Sequence, residues 1–120
     1  MFRLVHQASR LVATFEGVIT DDDFIQCFRA IISLGIREPK TNLLVDLSGI
    51  ERIALQSETV RRAAALFKPL SMNLTRKVAI VAPRDEIYGV ARMYQLLRTS
   101  SPSELNVFRT AAGANEWLDL

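Results

Sequence analysis

Two short apolar runs constrain this chain more than any other feature. Leu43-Leu44-Val45-Asp46-Leu47 and Lys77-Val78-Ala79-Ile80-Val81-Ala82 are apolar at nearly every successive position. A strand with one face in water alternates apolar and polar residues. A continuous run belongs to a strand covered on both faces, as parallel strands usually are. Parallel neighbours cannot be joined by a tight turn and need a crossover, usually a helix. The chain therefore has to supply helices around these runs, and its periodicity does so.

Leu4-Val5-His6 and Leu11-Val12-Ala13-Thr14-Phe15 read as two strands, with Leu11, Ala13 and Phe15 on one face and a short, hairpin-like link. Thr20 can cap a first helix, with Asp21, Asp22 and Asp23 where the positive end of its dipole favours them. Phe24, Phe28 and Ile31, beside Cys27 and Ile32, form its apolar stripe, and Gly35 is a natural stop. The 43–47 strand follows. Ser57 can cap a second helix through about Phe67, with Pro69 just past its end. The 77–82 strand ends at Pro83. A helix over Asp85–Arg98, a short strand over Leu105–Phe108 and a helix over Ala111–Leu118 complete the chain. The order β-β-α-β-α-β-α-β-α predicts an α/β fold, mostly parallel after the N-terminal hairpin, in a single domain over residues 1–120.

Composition narrows the function classes. A chain that is 49% hydrophobic and 23% charged is globular rather than disordered. The net charge of +2 comes from 15 basic and 13 acidic residues, and such a balance does not call for a nucleic-acid partner. One cysteine excludes an internal disulfide and a multi-cysteine zinc site. The start of the chain has no signal-peptide pattern, and no apolar stretch approaches the roughly 20 residues of a bilayer span. A reducing cytoplasmic location is the default expectation, and the free thiol agrees with it.

Few residues could carry chemistry. His6 lacks a second histidine or nucleophile at a telling spacing and reads as a strand histidine. Cys27 reads as a small buried hydrophobe, because nothing nearby would lower its pKa. The Asp21–Asp23 run lacks the alternation and closing glutamate of a calcium loop, so helix capping explains it. No glycine pattern for phosphate is present. Neither a cofactor nor a metal is expected. Asp46 ends the third strand, where α/β sheets place functional groups. Asp46 and Ser48 either line a site there or bond local backbone in a turn.

Ala82–Gln95 is the most informative stretch. Gly89 falls in mid-helix at a cost of about 1 kcal/mol against alanine. That position fits close approach by another element, a partner or a ligand. Tyr88 and Arg92 share one face, with Gly89 and Met93 in the next row. The four residues form either a binding surface or the side of a tightly packed helix with a surface arginine.

Leu44-Val45-Asp46-Leu47, Val78–Pro83, Tyr88–Tyr94, Val107-Phe108-Arg109 and Ala114–Leu118, in this order over nearly the whole chain, make it resemble the bacterial SpoIIAA-like proteins of the STAS superfamily (sulfate transporter and anti-sigma factor antagonist). The resemblance is to the small stand-alone branch that is also similar to the CRAL-TRIO lipid-transfer fold. It implies helices over a largely parallel sheet, and a binding or regulatory domain rather than an enzyme. Anti-sigma antagonists carry an Asp-Ser-Ser-Gly-like turn with a serine phosphorylated by a partner kinase. Here the matching stretch is Ile53-Ala54-Leu55-Gln56-Ser57-Glu58, without the aspartate or the glycine. Only Ser57 remains, an N-cap role suffices for it, and phosphorylation there is not expected. The function expected is a non-catalytic STAS-like module, a homodimer or the binder of a protein partner or small ligand. The alternative is a carrier for an apolar or amphipathic, lipid-like ligand.

Overall fold

The computed structural model describes residues 1–7, 10–37, 41–71, 77–97 and 104–120. The strands are β1 (Phe2–Gln7), β2 (Arg10–Thr20), β3 (Asn42–Ala54), β4 (Lys77–Val81) and β5 (Glu104–Phe108). The helices are α1 (Asp21–Arg37), α2 (Ser57–Ser71), α3 (Asp85–Leu97) and α4 (Ala111–Leu118). The strands form one five-stranded sheet in the order β1-β2-β3-β4-β5. β1 pairs antiparallel with β2, and every later pair is parallel. The α/β class and the element order are those expected from the sequence.

Each parallel strand is added on the same side of the previous one. Crossovers of one hand then deliver their helices to one face of the sheet. Cys27 and Ile31 of α1, Val60 and Ala63 of α2, and Ile87, Ala91 and Tyr94 of α3 share one core with Leu43, Val78 and Ile80. The opposite face is covered by α4, whose Ala114 and Leu118 pack on Leu44, Ala79 and Val81. The period of two along a strand sends Leu43 to one core and Leu44 to the other, which is why both runs had to be continuously apolar.

Polar residues that open the strands fasten α4. Asn42 accepts from the Lys77 backbone N–H at 3.0 Å and donates to the Leu118 carbonyl at 3.4 Å. Lys77 lies over the Trp117 ring and donates to the Trp117 and Leu120 carbonyls, where a helix C-terminus favours a cation. Arg10 donates to Asn115 at 2.6 Å and pairs with Asp119. At the other end of α4, Thr110 caps through the Gly113 N–H at 3.1 Å.

The start of α1 is a reciprocal cap. The Thr20 hydroxyl accepts from the Asp23 N–H at 3.3 Å, and the Asp23 carboxylate accepts from the Thr20 N–H at 3.1 Å. These bonds favour the ionised form and hold the Asp23 carboxyl below its ordinary pKa. Asp21 reaches further and accepts from the Gln56 N–H at 3.0 Å, which fixes the entry to α2.

Several boundaries differ from the sequence reading. α1 passes through Gly35 to Arg37, because a glycine penalty of about 1 kcal/mol is small against the packing of a long amphipathic helix. α2 runs beyond Phe67 and Pro69 to Ser71. Ser57 is its first helical residue rather than its cap, because the first helical bonds, from Thr59 and Val60, go to the Gln56 carbonyl. α3 ends at Leu97, and Arg98 lies outside the described residues, as does the link between β1 and β2.

β3 does not stop at Leu47. Only residues 43–46 pair with β4, and beyond them β3 continues with β2 as a two-stranded ribbon to Ala54. Register shifts place Thr14 opposite Asp46 but Glu16 opposite Gly49. A Cβ at Gly49 would lie 3.1 Å from the Phe15 carbonyl oxygen, so any larger residue at this bulge would press on the neighbouring strand.

Ile80 is 6% exposed, and an unpaired carboxylate there would enter the main core. Ile80→Asp should abolish cooperative thermal unfolding followed by circular dichroism, and Val45→Asp should do the same. A variant with the wild-type melting temperature would contradict the pairing of β3 with β4. Thr20→Ala should cost about 1 kcal/mol at neutral pH. Because the folded carboxyl of Asp23 titrates below its unfolded value, its contribution is complete above the ordinary carboxylate range and is lost as pH falls through the folded pKa. Melts of Thr20→Ala should therefore depend less on pH at the acid end than those of wild type.

Candidate functional site

Carboxyl ends of parallel strands are where α/β sheets collect ligands. Here that end carries Asp46 of β3, the link from β4 to α3, and the link from β5 to α4. Asp46 is half-buried, and one of its oxygens, Oδ1, accepts from both the Ser48 N–H at 2.9 Å and the Ser48 hydroxyl at 2.6 Å. The local turn is the geometry adopted, with the short polar side chain satisfying backbone that the bulge leaves unpaired.

The neighbouring arginines bind loops to each other. Arg84 donates from Nη1 to the Ile50 and Glu51 carbonyls at 2.7 and 2.9 Å, which ties the start of α3 to the β3 ribbon. Arg109 donates to the Pro83 carbonyl at 3.1 Å and to Asp85 at 2.7 Å, and its guanidinium lies 3.9 Å above the Tyr88 ring. Sequence reading missed Arg109 as the partner of Tyr88, because the two are 21 positions apart and meet only through the β4–β5 pairing.

The four residues proposed on α3 separate into two groups. Tyr88 and Met93 are half-buried and pack against the main core. Gly89 and Arg92 are exposed, and Arg92 donates to Gln95. A Cβ on Gly89 would meet nothing within 4 Å. Among the described residues none comes that close, so packing between them does not explain this glycine. Leu96, two helical turns on and 64% exposed, extends the same outward strip. Among the described contacts, none joins Asp46 or Ser48 to these α3 residues.

One feature absent from the sequence reading is an apolar pocket of about 80 Å³ between the sheet, α1 and α3. Phe24, Phe28, Ile80, Ile87, Ala91 and Tyr94 are among its walls. Phe28 stacks on Phe24 at 4.8 Å and meets Tyr94 edge-on at 5.4 Å, which bridges α1 to α3. The pocket's lining comes from strands and helices far apart in the chain, so no local pattern could signal it.

The remaining candidates follow the structural reading. Cys27 is 1% exposed and lines the cavity, and burial pushes its thiol up to about 12. His6 is exposed on β1 opposite Leu11, towards the amino ends of the parallel strands. Asp21 and Asp23 serve helix starts, and Asp22 accepts from Gln26 at 2.9 Å. Among the described residues no group of three acidic, histidine or cysteine side chains could hold a metal. None of the described helices is long and apolar enough to cross a membrane. In the native state Cys27 should react with iodoacetamide at pH 8 at least a hundredfold more slowly than in urea, read by intact mass. Equal rates would place the thiol at the surface.

The comparisons with known proteins agree with this architecture. No curated protein matches the chain. An uncharacterized protein of the DUF3478 family from Shewanella loihica PV-4, with a SpoIIAA-like fold, superposes with a TM-score of 0.63 at 19% identity. That match covers 98% of this chain and 92% of the other. It establishes a shared fold, since identity that low carries nothing finer. The family description SpoIIAA-like matches residues 10–119, from the first residue of β2 to the residue after α4. The chain belongs to the SpoIIAA-like family, and so to the STAS-like proteins.

Proposed function

We propose that this chain is a non-catalytic interaction module whose contact surface is the outward face of α3, with Gly89 at its centre. The observation that supports this reading is the exposure of Gly89. A mid-helix glycine sacrifices about 1 kcal/mol of helix stability, and among the described residues no neighbour requires its missing side chain. A partner brought close to the backbone would. Arg92 flanks the strip as a donor for a carboxylate, and the exposed Leu96 adds apolar area. The partner is a protein, either a second copy, giving a homodimer, or a different chain. The free Cys27 suits a reducing, cytoplasmic setting.

Two other readings receive less support. The carboxyl end of the sheet shows carboxylates and arginines bonded to loops, which suits a rigid scaffold rather than acid–base work. A lipid-length ligand needs a pocket of roughly 300 Å³ or more, against the 80 Å³ of the cavity. Phosphorylation at Ser57 is not part of the proposal, since its position opens α2 and lacks the family's acidic turn.

The test combines folding with association. Gly89→Ala should raise stability by about 0.5–1 kcal/mol, because the isolated fold gains helix propensity and loses no contact. Gly89→Leu should melt like wild type yet lose self-association in sedimentation, or lose the adduct formed in the native host by a photo-crosslinking residue at position 96. Arg92→Ala should weaken the same contact, more so at low salt. Ser57→Asp should leave both readouts unchanged, because a carboxylate is favoured in the first turn of a helix. If Gly89→Leu associates and crosslinks as wild type does, the α3 face is idle surface.

A further inference from the structure

We infer that the cavity between the sheet, α1 and α3 is a binding site for a small, uncharged, apolar molecule of at most about one ring, independent of any contact made by α3. Three observations select that class of ligand. The surface that its described walls expose is apolar, with Leu43, Ile80, Phe24, Phe28 and Tyr94 among the lining residues. A water held there would lack the two to four polar partners it needs, so the space is dry or holds something apolar. The volume of about 80 Å³ is far below that of a pocket for a chain-length lipid. Dry apolar cavities about twice this size take up xenon or benzene.

The site is also reachable. Phe24, Leu47, Ile53 and Val90 belong to its wall and are only half-buried, so rotamer changes at the surface open a path without unfolding the sheet. A charged or hydrogen-bonding headgroup would have no partner inside, which excludes carboxylates and phosphates from the interior.

The test uses xenon under pressure and benzene near saturation as probes, with n-decanoate as the chain-length control. Methyl NMR should show shifts at Leu43, Val78 and Ile80 with xenon and with benzene, and benzene should raise the melting temperature. Decanoate should leave those methyls unmoved. Ala91→Leu, which fills the cavity from α3, should melt at or above wild type and bind benzene at least tenfold more weakly. Should that variant fail to fold, Val90→Ile fills part of the space with one added carbon and should weaken benzene binding. Absence of methyl shifts with both probes would overturn the site. So would undiminished benzene binding in a folded filled variant, and decanoate shifting the same methyls would overturn the size limit.

Discussion

The pairing of β3 with β4, buried on both faces, is the constraint on which the rest depends. Leu43 sits opposite Val78, and the register runs to Asp46 opposite Val81. Every residue of Val78–Ala82 is at most 6% exposed. Such strands can exist only where two layers cover them, so α1 to α3 on one side and α4 on the other are requirements rather than additions. At roughly 1.5–3 kcal/mol per fully buried large aliphatic side chain, this central pair anchors both cores.

From that pair the two ends of the sheet acquire different work. At the amino ends, Arg10, Asn42 and Lys77 open successive parallel strands and bond the end of α4. At the carboxyl ends, Arg84 and Arg109 tie loops to the first turn of α3. Both sets of contacts stabilise. Among the described residues, the exposed strip of α3 takes no part in these contacts. Gly89 faces open solvent, whereas Ala91, two residues on, lines the cavity. One helix therefore separates the outward strip from the apolar pocket behind it.

The departure from the phosphorylated turn of anti-sigma antagonists has a structural counterpart. The β3 ribbon continues to Ala54, and the Gln56 N–H is taken by Asp21 from α1. The start of α2 is thus held by a neighbouring helix, with Ser57 already inside the helical run. A turn built on its own aspartate and glycine is not needed to shape this entry.

The sequence by itself determined what periodicity can encode. The doubly covered strands, the helical alternation, the Thr20 cap, the bounds of α4 and the burial of Cys27 all follow from spacings within a dozen residues, the range over which backbone geometry repeats. Only the tertiary structure decided the rest. The extension of β3 past Leu47 depends on β2 remaining as a partner after β4 ends. The contact of Tyr88 with Arg109 depends on β4 and β5 lying side by side. The solvent around Gly89 depends on where every other element goes, and the cavity is the space left when side chains from distant segments meet without filling it. These features are set by contacts between residues far apart in the chain, and no local pattern records them.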